Sequence, residues 1–273
     1  MGYTMRVEKK RASKNEKGRI EMVEIKNALH LEGLPGALGE PLTLLAEQLG
    51  ESVADNLQSI TVVGSALTDD FRAGVSDINT VLILGECKTA ALNAIAALAK
   101  TTRKKKLSPP LLMTASYIER SRDVFGVELL DFQLTHRTVL GADPFEALRF
   151  EKHNVRLQCE RELKATLIRL RQGYIAAAGN NKLVRDVLIA AAKGLAPLLR
   201  AMLWLKDADR PRTMEATFRH GAGSFDVKLE AVVTAERWRY EKPRLAGGEI
   251  ETAFESIYTA VEHLATTVDA LEL

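Results

Sequence analysis

Three stretches of the chain hold residue types that handle phosphate and a hard cation. Val62-Val63-Gly64-Ser65 ends a β-branched run in a Gly-Ser corner, and after a polar loop Ser76-Asp77-Ile78-Asn79 opens the apolar run Val81-Leu82-Ile83-Leu84. A glycine directly after a strand lets backbone approach a ligand closely, and such a turn offers N–H groups and a hydroxyl to phosphate oxygens. Residues i and i+2 of a strand share a face, so Asp77 and Asn79 converge on one point in front of that corner. Oxygen ligands placed this way suit a hard cation such as Mg²⁺ beside phosphates. A third acidic side chain from a neighbouring strand would complete the site. The candidates are Glu128 and Asp131 in the stretch from Phe125 to Gln133, which reads as a strand.

The elements that position these residues follow from periodicity. Leu42, Leu45, Leu49 and Val53 recur at helical spacing after Pro41, which predicts a helix over residues 41–55. Strands are expected at 59–63, 77–84, 110–115 and 125–133, with an alanine-rich helix over 90–100 that runs into Arg103-Lys104-Lys105-Lys106. Beyond the turn Gly141-Ala142-Asp143-Pro144 the pattern becomes helical: Leu163, Leu167, Leu170 and Tyr174 form one stripe, and Gly179-Asn180-Asn181 breaks it. A helix over 183–205 follows, with a kink expected at Pro197, and a long stripe runs from Ile250 to Leu271. That last stripe suits either core or an oligomer interface.

On the residues Gly64-Ser65, Asp77-Ile78-Asn79 and Val127-Glu128-Leu129-Leu130-Asp131, the chain resembles the DNA polymerase β-like nucleotidyltransferase superfamily. Its fingerprint is a strand, Gly-Ser or Gly-Gly, a loop, Asp-x-Asp/Glu and a third carboxylate on a later strand. The order of elements resembles the bacterial branch that includes the aminoglycoside nucleotidyltransferases. The resemblance implies an α+β fold: a mixed sheet with flanking helices, followed by an all-α helical bundle that helps to form the acceptor site. It implies Gly64 and Ser65 at the triphosphate of ATP or another nucleoside triphosphate, and Asp77, Asn79 and Glu128 at Mg²⁺, with Asp77 and Glu128 catalytic. Glu128 is favoured over Asp131 because Val127-Glu128 resembles the Leu-Glu strand of the aminoglycoside enzymes. The acceptor would be a small molecule or a protein. One departure stands out: the family's second aspartate is Asn79, a neutral amide that brings no charge to a metal. The alternative is therefore a degenerate nucleotide-binding, regulatory or scaffold protein of the same fold.

Composition sets the wider limits. The 273 residues correspond to about two domains, and the organisation expected is a basic arm over 1–20, a nucleotidyltransferase-like domain over 21–145 and a helical domain over 146–273. A net charge of +2 does not nominate nucleic acid as a partner, although the first twenty residues hold seven Lys/Arg against two Glu. No uninterrupted apolar run is long enough to span a membrane, and Cys87 and Cys159 stand far apart, so a cytoplasmic, disulfide-free chain is expected. Other polar residues read as ordinary structure: His136-Arg137 as an exposed turn, Arg72, Asp69 and Asp70 as loop residues, His220 as the end of a helix. Trp204, Trp238 and Tyr240 read as packing residues.

Overall fold

The computed structural model describes residues 28–273; the basic arm expected over 1–20 lies outside them. The chain forms two compact units that are not consecutive stretches. One runs to Arg120 and takes in Thr135–Leu148, and the other comprises Ser121–Leu134 and Arg149–Leu273.

The first unit is built on a four-stranded sheet of order β3-β2-β1-β4. Its strands are β1 (Leu57–Val63), β2 (Asn79–Leu84), β3 (Leu111–Met113) and β4 (His136–Gly141). The β-branched run Ile60-Thr61-Val62-Val63 makes β1 the central strand, since only a strand flanked on both edges buries such residues continuously. It pairs antiparallel with β2 and β4, and β3 joins β2 in parallel. Among the described residues the unit also holds three α-helices, α1 (Gly39–Val53), α2 (Thr89–Lys104) and α3 (Ala115–Arg120). Alternation sends Ile60, Val62, Leu82 and Leu84 into one core with Leu42, Leu45, Ala46 and Leu49 of α1. Thr61, Val63, Val81 and Asn79 therefore occupy the other face, where Thr61 and Thr138 hydroxyls lie 2.9 Å apart.

The second unit is helical: α4 (Gly126–Leu134), α5 (Lys152–Ala177), α6 (Asn181–Leu205), α7 (Met214–Phe225), α8 (Glu230–Glu241) and α9 (Gly247–Asp269). Its core gathers Leu163, Leu167 and Leu170 of α5, Leu188, Leu195 and Leu199 of α6, and Ile257, Val261 and Leu264 of α9, so the α9 stripe is core. The Asn180 carboxamide caps α6 by accepting from the N–H groups of Lys182 and Leu183. Pro197 sits inside α6, which continues through it. By length and composition α6 is apolar enough to cross a membrane, but 56% of its most apolar stretch is buried within the protein, as in a core helix. Trp238 is buried and Trp204 half-buried against the same core. His220 lies within α7, which ends at Phe225 instead, where Asp226 adopts a left-handed conformation.

Two further sequence expectations are corrected. The stretch 125–133 is not a strand: Gly126–Leu134 forms α4 and belongs to the helical unit. Only Val127 in it is β-branched, whereas Leu, Glu and Gln favour helix, and Val127 and Leu130, three apart, bury together in the helical core. The strand that follows is β4, which begins at His136, where a turn was expected. Its polar opening residues conceal a strand that only pairing with β1 reveals.

Gly141 ends β4 at φ +77°, and a Cβ there would stand 2.0 Å from the Gln58 carbonyl oxygen. Gly33 shares that φ, with no atom within 4 Å of a Cβ. Gly33→Ala should therefore cost about 1 kcal/mol, and Gly141→Ala at least ~2 kcal/mol, in urea unfolding followed by circular dichroism.

Candidate functional site

The site begins where β1 stops. Gly64 turns the chain at φ +76° with open space where a Cβ would stand, and its N–H donates to the Thr135 carbonyl at 3.0 Å. That donor is spent on the fold. The groups left open at this corner are the first N–H groups of the following helical turn, Gly64–Leu67, which have no partner within the turn, and the exposed Ser65 hydroxyl. The loop beyond holds its own shape. The Thr68 N–H and hydroxyl donate to the Ser65 carbonyl, and the Arg72 N–H donates to the Ser76 hydroxyl at 3.0 Å.

Val63, just before the corner, is paired with Asn79 on one side and His136 on the other. Neighbouring strands lie about 5 Å apart, so Asn79 stands one strand spacing from the corner. Asp77 precedes β2 rather than opening it. Between the two, Ile78 bridges to Leu107 and is buried in the core beneath α1 and α2, while Asp77 and Asn79 are exposed. The structure thus brings Gly64, Ser65, Asp77 and Asn79 to one end of the sheet.

It does not bring Glu128 or Asp131 onto that sheet. Both lie on α4, where a spacing of three places them on one helix face rather than on opposite sides of a strand. The Gln158 Nε2 donates to the Glu128 carboxylate at 2.6 Å, while its Oε1 accepts from the Val127 N–H. The Arg200 Nε donates to Asp131 at 2.5 Å, and Arg200 also donates to the Thr217 hydroxyl. Burial, opposed by the Asp131 charge and aided by repulsion from Arg200, leaves Arg210 below the usual guanidinium range. Burial, followed by the Glu128 charge, pushes the Cys159 thiol up to about 12, so it stays protonated and inert. None of the four strands contains an Asp or Glu. Among the described residues no three His, Cys, Asp or Glu side chains cluster as a metal site. Among the described residues, a donor set of one carboxylate and one amide would suit a single Mg²⁺ shared with a polyphosphate better than two metals.

His136 was legible only as a polar residue, yet it is structured: its Nε2 lies 2.8 Å from Asp143 Oδ2, and its ring meets Phe145 edge-on. The Asp143 Oδ1 accepts from the N–H groups of Phe145 and Glu146. Burial alone would raise this carboxyl, but those backbone donors and His136 together hold it below the usual carboxylate range.

No protein-family model matches the sequence, and no curated protein matches it. Among solved structures the chain is similar to spectinomycin adenyltransferase AAD(9) from Enterococcus faecialis, determined with ATP and spectinomycin. The identity is 11% and the TM-score 0.52, over 84% of this chain and 98% of that one. The fold is similar to that of this adenyltransferase. A mixed four-stranded sheet with flanking helices is accompanied by a helical unit, in agreement with the fold expected from sequence.

Two outcomes follow. Asp131→Asn should lower the stability of the helical unit by about 1–3 kcal/mol in denaturant unfolding, because it leaves Arg200 without its carboxylate. A depressed native pKa stabilises above the unfolded value and loses that contribution as pH falls through the folded one. Asp143→Asn should accordingly cost about 1 kcal/mol at pH 7, a difference that shrinks below about pH 4, measured by paired melts across pH.

Proposed function

We propose that this protein binds a Mg²⁺–nucleoside triphosphate at the Gly64-Ser65 corner and has lost most of the capacity for nucleotidyl transfer. The observation that carries the reading is the charge of the strands: Asp77 precedes β2, Asn79 opening β2 is neutral, and none of the four described strands contains an Asp or Glu, while the Asp143 carboxylate is engaged by His136 and backbone N–H groups. Ser65 and the turn behind it would bind and orient the phosphates. Asp77, with the Asn79 carboxamide oxygen, would hold Mg²⁺, which when bound neutralises phosphate charge. Deprotonation of an acceptor hydroxyl has no assigned base, since an amide cannot accept that proton.

A second reading, transfer of a nucleoside monophosphate to a small-molecule acceptor, draws on the likeness to AAD(9), whose structure holds ATP and spectinomycin. Calorimetry and a labelled-nucleotide transfer assay separate the two. The native chain should bind ATP more tightly with Mg²⁺ than without, and Asp77→Ala should weaken Mg²⁺–ATP binding at least about tenfold, which is roughly 1.4 kcal/mol. Transfer should be undetectable. Robust transfer by the native chain would favour the second reading, and no ATP binding at all would remove both.

A further inference from the structure

On the side of the sheet covered by α1 and α2, a cavity of about 460 Å³ lies between α2 and the segment 107–112, apart from the face that carries Asp77 and Asn79. Its floor is Leu45, Ile95 and Leu107, none more than 7% exposed. Leu92, itself 46% exposed, and Leu112 extend the aliphatic lining. Pro109 and Pro110 form a stiff rim with no N–H to offer.

The polar part of the lining has one sign. Lys100 and Arg103 stand a helical turn apart on α2, both exposed, and neither is ion-paired among the described residues. The nearby Lys105 is already taken by Glu40 at 2.6 Å, and no acidic side chain among the described residues lines the cavity. The Thr102 hydroxyl is spent on the Leu98 and Ala99 carbonyls. Recognition of a polar group therefore falls to two cations and Ser108.

We propose that this cavity binds a small anionic amphiphile, its aliphatic chain against Leu45, Ile95 and Leu107 and its carboxylate at Lys100 and Arg103. A largely apolar site with a few convergent polar groups, within the roughly 300–1,000 Å³ range of small-ligand pockets, suits such a molecule. Apolar contact supplies the attraction and the two cations select the head group. The site is independent of nucleotide binding.

The test is calorimetric titration of the full chain with decanoate below its micelle concentration, beside decanol and decyltrimethylammonium. Decanoate should bind once per chain, decanol about tenfold more weakly, and the cationic amphiphile not at all. The double variant Lys100→Glu/Arg103→Glu should lose about tenfold in decanoate affinity, and Ala99→Trp, which fills the cavity from an exposed helical position, should abolish binding. Circular dichroism checks that each variant keeps its helices; the charge variant alters only exposed side chains and decides the matter if Ala99→Trp does not fold. Equal binding of all three amphiphiles, decanoate binding unchanged by the charge reversal, or no binding would overturn the proposal. So would sedimentation showing a dimer that Ala99→Trp dissociates, which would give the groove to a second copy of the chain.

Discussion

The pairing of Val63 with Asn79 on one side and His136 on the other is the constraint on which the candidate site depends. It fixes which residues of β2 share a face with the end of β1, because a slip of one residue would exchange the two faces of β2. It also brings Thr135 to the point where its carbonyl takes the Gly64 N–H. The glycine corner is thus stapled to β4 before any ligand arrives, and its open side is left to the Ser65 turn. Buried Ile78 then holds Asp77 and Asn79 outward by occupying the core between them.

Electrostatics decides what that frame can do. Under the proposed reading, Asp77 and a neutral Asn79 would hold one cation that phosphates help to ligate, with too little charge to clamp two. The carboxylates that the sequence offered as a third ligand serve the helical unit, Glu128 through Gln158 and Asp131 through Arg200. Breaking such partly buried pairs to recruit either residue elsewhere would leave a guanidinium or a carboxamide unsatisfied. The fold rests on apolar packing and strand register, whereas the proposed loss of acidic ligands would involve only a few side chains at the end of the sheet.

How far the sequence reveals this depends on where each signal resides. β1, α1, α2, α5, α6 and α9 are legible because each carries a strong period of its own. The Gly64 corner and the Asp77, Asn79 spacing are legible for the same reason, being local. The 125–133 stretch misleads because a short run mixing Leu, Val and acidic residues fits a strand as well as a helix, and burial of Val127 with Leu130 arbitrates only in three dimensions. β4 is hidden because His136-Arg137-Thr138 looks like a turn until β1 lies beside it. The His136–Asp143 pair likewise joins residues whose contact depends on where the strand ends.

The central claim is that one cation, shared between Asp77 and a triphosphate, is all this sheet face can hold. Electron paramagnetic resonance titration with Mn²⁺, in the presence of a non-hydrolysable ATP analogue, counts those ions directly. The account predicts one protein-bound Mn²⁺ per chain in the ternary complex, lost in Asp77→Ala. Two bound ions per chain, or a ternary complex indifferent to that substitution, would contradict it.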